Sequence, residues 1–222
     1  HSLNKRNMKK LIELMSEFGA EFLPKNKFNF PLKLISSEMP IGIKYEAGVS
    51  AQLKSAVMLA GLNAYGDTEI VEKEKSRNHS ENLLSLNSQA IRIEKKSKEK
   101  KIIRIFGKKY LNPINITIPG DPSSAAFFTA LTLLNKNSSL KIKNVGLNQT
   151  RIGFYELLKK HGAKIKFKNI KKNNNETCGD IHVKSCKIKP IRASKKYYVK
   201  STDEYPILFV IAALTEGTSI FK

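Results

Sequence analysis

A repeat is the feature of this chain that most limits how it can fold. One pattern occurs three times: SAQLKSAVMLAGLNAYGDTEI from Ser50 to Ile70, GDPSSAAFFTALTLLNKNSSLKI from Gly120 to Ile142, and DEYPILFVIAALTEGTSIF from Asp203 to Phe221. Each copy reads as a polar start, an apolar helix, a turn and a strand. A second pattern alternates with it, in RNMKKLIELMSEFGAEF from Arg6, SRNHSENLLSLNSQAIRI from Ser76 and NQTRIGFYELLKKHGAKIKF from Asn148. The period is roughly 70 to 80 residues, too long for a small helical solenoid.

The two helix types differ in kind. Leu11, Leu14, Met15 and Phe18 fall at i, i+3, i+4 and i+7, the stripe of a helix with one wet face, and Phe154, Leu157 and Leu158 repeat it. Ala125 to Leu134, Pro206 to Leu214 and most of Leu53 to Leu62 are apolar all round, which predicts helices enclosed by protein. None reaches the roughly 18 apolar residues needed to span a membrane. The expected fold class is α/β (α+β), built from repeated βαββαβ modules with one buried and one half-exposed helix each.

At 222 residues there is room for one large or two modest domains. No stretch reads as a signal peptide or anchor, and Cys178 and Cys186 lack metal-type neighbours, so reduced thiols and a cytoplasmic protein are expected. The net charge of +21 invites a nucleic-acid reading. Its distribution argues otherwise: the lysines gather in Lys95 to Lys109, Lys164 to Lys172 and Lys195 to Lys200, which read as strand edges and loop tips, without a helix-turn-helix, RNP or zinc-finger signature. A basic surface would still favour anionic small substrates.

The polar ends of the repeats carry the chemistry. Ser50 and Gln52 stand at the start of an apolar helix, where unpaired N–H groups favour an anion; Ser50 is equally read as an ordinary N-cap. Ser76 and Arg77 also precede a helix, and a guanidinium can hold a phosphate through two parallel hydrogen bonds, although a surface arginine is the plainer reading. Arg6 lies among Lys5, Lys9 and Lys10 and reads as part of a basic helix start. Asp203 and Asp121 both suit helix caps ahead of Pro206 and Pro122.

Taken in order, SLNKRNM (2–8), SAQLKSA (50–56), KSRNHSENLL (75–84), GDPSSAAFF (120–128), GLNQTRIG (146–153) and DEYP (203–206) resemble the 5-enolpyruvylshikimate-3-phosphate (EPSP) synthases, in their bacterial second-class form. The resemblance covers essentially the whole chain. It implies the enolpyruvyl transferase fold of two domains, each of three βαββαβ units. It also implies transfer of the enolpyruvyl group of phosphoenolpyruvate to the 5-hydroxyl of shikimate 3-phosphate, with no metal or organic cofactor, in a protein that is monomeric when complete and binds neither membrane nor nucleic acid. Residue by residue, Ser50, the backbone of Ala51, Gln52, Ser76, Arg77 and Asp203 would contact shikimate 3-phosphate. Arg6 and Gln52 would contact phosphoenolpyruvate, and Asp203 would be the catalytic proton acceptor. His79 is read as positional and Asp121 as structural. The family usually has proline where this chain has Asn7, which puts the stiffness of the Arg6 turn in question.

The family's N-terminal Lys-Ser motif, NxGT segment, KESDR-like stretch and late arginine and lysine residues do not occur here. The chain is therefore expected to cover the middle of such an enzyme, with residues 1–118 the later part of the N-terminal domain, 119–222 the earlier part of the C-terminal one, and apolar faces left open. UDP-N-acetylglucosamine enolpyruvyl transferase shares the expected fold and chemistry and is the nearest alternative, although SAQLKSA, SRNH and GDPSSA favour shikimate 3-phosphate. A basic, non-catalytic binding protein for RNA or acidic partners is the alternative from another class.

Overall fold

Each of the six helix starts in the repeat forms, and each helix leads through a short turn into a strand. The computed structural model describes residues 2–97 and 100–222, and the chain divides into two units, His1–Ile114 and Asn115–Lys222.

In the first unit, α1 (Lys9–Glu17) leads to β1 (Glu21–Leu23), which pairs antiparallel with β2 (Lys33–Ile35). Then come β3 (Lys44–Ala47), α2 (Ala51–Asn63), β4 (Asp67–Glu72), α3 (His79–Leu84), β5 (Ile91–Lys95) and β6 (Lys101–Phe106). These strands form one sheet in the order β3-β4-β6-β5, with β3 and β4 parallel around α2 and the other pairs antiparallel. Its core joins Leu14 of α1, Phe18 just after it and Met58 of α2 to Ile70, Ile103 and Ile105 of the sheet.

The second unit repeats this plan. It contains α4 (Pro122–Leu134), β7 (Ser139–Gly146), α5 (Gly153–Lys160), β8 (Lys164–Asn173) and β9 (Glu176–Lys184), with sheet order β7-β9-β8. Gly120 takes the place of β3 through a parallel bridge to Val145. A third round follows: β10 (Arg192–Ala193), α6 (Lys195–Ser201), α7 (Tyr205–Ala213) and β11 (Ile220–Phe221), with β10 and β11 parallel. In both sheets the two helices precede the final hairpin, a placement that the sequence period does not fix. Phe154, Tyr155, Leu157 and Leu158 of α5 fill the core, where Phe154 and Phe167 meet the Tyr155 ring edge-on at 5.1 and 5.9 Å.

The repetition extends to the ends of helices. After α1, the N–H groups of Phe18 and Ala20 both reach the Met15 carbonyl, at 3.1 and 3.2 Å; after α5, those of His161 and Ala163 both reach Leu158, at 3.0 Å each. Between them sit Gly19 and Gly162, at φ +91° and +94°, where the left-handed turn favours glycine.

Two expectations are corrected. The all-apolar helices are enclosed on one side only: Phe127, Phe128 and Leu131 of α4, Phe209 and Val210 of α7, and Leu59 of α2 are exposed. An apolar composition records that both faces suit protein contact, and the described residues cover one of them. Of the lysines expected at edges and tips, Lys101 is a largely buried ion-pair partner and Lys195 to Lys200 lie on the helix α6, while Lys98 lies outside the described residues.

In the second sheet both outer strands bulge at matching heights, between Ile142 and Val145 on β7 and between Lys168 and Lys171 on β8. Asn144 and Asn169 sit there at φ +51° and +50°. Asp180 of the central strand holds both, accepting from Asn144 N at 3.1 Å and Asn169 Nδ2 at 2.8 Å. These bonds, with Lys141 alongside, bring its carboxyl pKa down to about 2.

Candidate functional site

Ser50 follows β3 in extended conformation and caps α2, its Oγ accepting from Leu53 N at a long 3.4 Å. The N–H groups of Ala51 and Gln52 belong to the first turn, where a helix has no internal acceptors to offer. This end of α2 therefore presents partial positive charge to an incoming anion.

Ser76 and half-buried Arg77 lie in the loop from β4 to α3. Ser76 is buried, and both its Oγ and its N–H donate to Glu72 Oε1, at 2.9 and 3.4 Å. Glu72 ends β4 and belongs to a buried ion cluster. Lys54 Nζ, fully buried in α2, meets Glu72 Oε1 at 2.7 Å and Glu81 Oε1 of α3 at 2.6 Å. Lys101 Nζ of β6 meets Glu72 Oε2 at 2.7 Å and Glu81 Oε1 at 3.2 Å. Burial works against the charge on Glu72, but hydrogen bonds from Lys101 and Lys54 outweigh it and hold the carboxyl below its ordinary range. Burial likewise opposes the charge on Lys101, and its bonds to Glu72 and attraction to Glu81 override it and raise the ammonium pKa. A second tie joins α2 to α3, Ser55 Oγ to Ser80 Oγ at 2.7 Å.

Ser50, Ala51, Gln52, Ser76 and Arg77 thus share one scaffold. Arg6 sits on another element, exposed in the turn ahead of α1, its N–H donating to Leu3 O at 3.1 Å. Where the resembling family has proline, Asn7 Oδ1 accepts from Lys9 N at 2.8 Å, so a side-chain bond restrains the turn instead of a ring.

In the second unit, Asp203 is the exposed middle residue of a 3-10 turn, Thr202–Glu204, leading into α7. Its neighbour Glu204 is buried and accepts a short hydrogen bond from Ser123 Oγ. Arg151 Nη2 donates to Ser123 Oγ at 2.6 Å and to Asp121 Oδ1 at 3.0 Å. Burial pushes the Glu204 carboxyl up, and Ser123 and Arg151 only partly offset it. Asp121 caps α4, accepting from the N–H groups of Ser123 and Ser124 at 3.2 and 3.1 Å; those bonds overcome burial and lower its pKa.

The family model described as EPSP synthase (3-phosphoshikimate 1-carboxyvinyltransferase) matches residues 1–222. The chain belongs to the EPSP synthase family. Among relatives named 3-phosphoshikimate 1-carboxyvinyltransferase, that of Paramagnetospirillum magneticum is 37% identical over 219 residues, 98% of this chain and 49% of the relative. That of Zymomonas mobilis is 38% identical over 222 residues, 100% of this chain and 49% of the relative. The EPSP synthase structure from Acinetobacter baumannii superposes with a TM-score of 0.81 at 33% identity, covering 99% of this chain and 49% of that one. The enolpyruvyl transferase NikO from Streptomyces tendae shares the fold, with a TM-score of 0.72 at 16% identity over 97% of this chain and 51% of its own. The chain spans about half the length of the curated EPSP synthase relatives it matches.

Sequence reasoning missed the residues behind these candidates. Lys54 was the available signal: a lone charge in an apolar helix must find partners if it is buried. Glu72, Glu81 and Lys101 carry no such mark, since charged residues at strand ends, as Glu72 and Lys101 are, or on a short helix, as Glu81 is, are ordinarily solvated. Arg151 lies within the quoted GLNQTRIG, but its partners Asp121 and Ser123 are 30 and 28 residues away.

Proposed function

We propose that this chain supplies part of the substrate-binding and proton-transfer machinery of an enzyme that moves the enolpyruvyl group of phosphoenolpyruvate onto the 5-hydroxyl of shikimate 3-phosphate. In the first unit, the start of α2 and Arg77, with Ser76 beside it, hold the 3-phosphate, Gln52 reaches both substrates, and Arg6 orients phosphoenolpyruvate. In the second unit, Asp203 accepts the proton of the 5-hydroxyl.

The chemistry is an addition followed by an elimination. The methylene carbon of phosphoenolpyruvate gains a proton, the 5-oxygen bonds to the adjacent carbon as its own proton leaves, and the methyl carbon then gives up a proton as the C–O bond to phosphate breaks. The products are the enol ether and inorganic phosphate. Both substrates are anions and no electrons change hands, so orientation and charge stabilisation carry most of the catalysis. The net charge of +21 favours capture of both.

What most supports this reading is that a helix start with unpaired N–H groups and an arginine-bearing loop, distant in sequence, are fixed to each other by one ion cluster. That is how a dianion is gripped from two sides. We place the protein in the cytoplasm, on the two free thiols Cys178 and Cys186. Among the described residues no helix is long and apolar enough to cross a membrane.

The test is a titration of the 15N-labelled chain. Shikimate 3-phosphate should shift the amides of Ala51, Gln52, Ser76 and Arg77 saturably, and shikimate lacking the phosphate should not. Shifts produced by UDP-N-acetylglucosamine instead would move the assignment to that substrate, and silence at these amides would refute it.

A further inference from the structure

The ion cluster of the first unit has no part in the reaction just described, yet it is built around the loop that reaction needs. Glu72 is its hub. Oε1 takes three donors, Lys54 Nζ at 2.7 Å, Ser76 Oγ at 2.9 Å and Ser76 N at 3.4 Å, while Oε2 takes Lys101 Nζ at 2.7 Å. A carboxylate so occupied has no freedom to turn. It also stands on β4, an interior strand paired on both sides, so its backbone is fixed. Lys54 lies four residues after Ser50, one helical turn along the same face of α2.

We propose that Glu72 is a positioning residue for the Ser76–Arg77 loop, and that Lys54 sets this loop against the start of α2. The inference rests on the reading of Ser50, Ser76 and Arg77 as the 3-phosphate grip. Through Glu72, the residue before Arg77 is anchored by both backbone and side chain, so Arg77 projects from a fixed base. Through Lys54, that base is referenced to the helix carrying the opposing N–H groups. Lys101 and Glu81 complete the neutralisation: two lysines balance two glutamates, so the loop is held without a net buried charge.

The test combines amide hydrogen exchange with shikimate 3-phosphate titration of the 222-residue chain. In Glu72→Gln, which keeps the shape and loses the charge, exchange at Ser76 should quicken by about tenfold or more while Ile70 and Val71 of β4 stay protected. The Kd for shikimate 3-phosphate should rise by about tenfold or more. Glu72→Asp, which keeps the charge but withdraws the carboxylate by one methylene, should move both readouts the same way by less, and it serves if the glutamine variant does not fold. Ile103→Val lowers the stability of the same core and should move neither.

The proposal is overturned if Ser76 exchange is unchanged in both Glu72 variants, or quickens only in step with Ile70 and Val71. It is equally overturned if the Kd rises no more than in Ile103→Val. Should the unmodified chain take up no shikimate 3-phosphate, the reading of the site fails separately, and exchange at Ser76 alone decides the role of Glu72.

Discussion

Replacing Lys54 by methionine tests the energetics of the ion cluster directly. Methionine fits the slot of a fully buried lysine but removes two short bonds, 2.7 Å to Glu72 and 2.6 Å to Glu81. Breaking a buried pair by removing one partner costs about 3–5 kcal/mol, because the remaining charge is stranded. Here Lys101 still meets both carboxylates, at 2.7 and 3.2 Å. The low end, about 3 kcal/mol at pH 8, is therefore expected, roughly a hundredfold in the folding equilibrium. Two carboxylates sharing one ammonium cannot both stay ionised easily, so one of them acquires a folded pKa above its unfolded value. Such a group adds stability at low pH that is lost as pH rises through the folded pKa. The deficit should accordingly shrink below neutrality, by at most about 1.4 kcal/mol per pH unit. Removing a cation and an anion together, as Lys54→Met with Glu81→Met, leaves the Lys101–Glu72 pair intact and should restore the protein to within about 1 kcal/mol of the original. Urea melts can be followed by circular dichroism and by tyrosine fluorescence, the chain having seven tyrosines and no tryptophan. A deficit independent of pH between 5 and 8, or a double variant as weak as the two single losses added, would refute the argument.

Three further outcomes follow from the second unit. Asp180 has a folded pKa of about 2, so its contribution is present above the unfolded carboxylate value and fades as pH falls toward 2; the advantage of the original over Asp180→Asn in thermal melts should be full at pH 6 and vanish near pH 2. Glu204 is shifted the other way, so its favourable contribution is lost as pH rises through its folded value, and Glu204→Gln should gain on the original between pH 4 and 8 in the same melts. Tyr155→Phe removes the 2.6 Å bond to the Pro122 carbonyl and should cost about 1 kcal/mol in urea unfolding, with no pH dependence below 9.

The helix starts were legible because they rest on local chemistry. Ser50 and Asp121 cap α2 and α4 with their own side chains, and the glycines after α1 and α5 mark the stops. The family resemblance was legible for a similar reason, since its motifs sit at those starts. What escaped was long-range. Lys54 finds its partners 18 and 27 residues on, and Lys101 reads as one more lysine in a basic run. Glu204 beside Asp203 gives no sign in sequence that it turns inward onto Ser123, 81 residues earlier. Nor does an all-apolar helix such as α4 say which side its neighbours occupy.

The two repeats share a plan but not the chemistry at its centre. The fourth residue of α2 is Lys54, held by two carboxylates; the fourth of α4 is Ala125, packed in a core of aliphatic and aromatic side chains. Apolar burial weakens on cooling, whereas the cost of dehydrating charges falls on heating. At this matching position the charge cluster around Lys54 thus gains on heating while the apolar packing around Ala125 weakens on cooling, so one site in the shared plan answers temperature in opposite ways in the two halves.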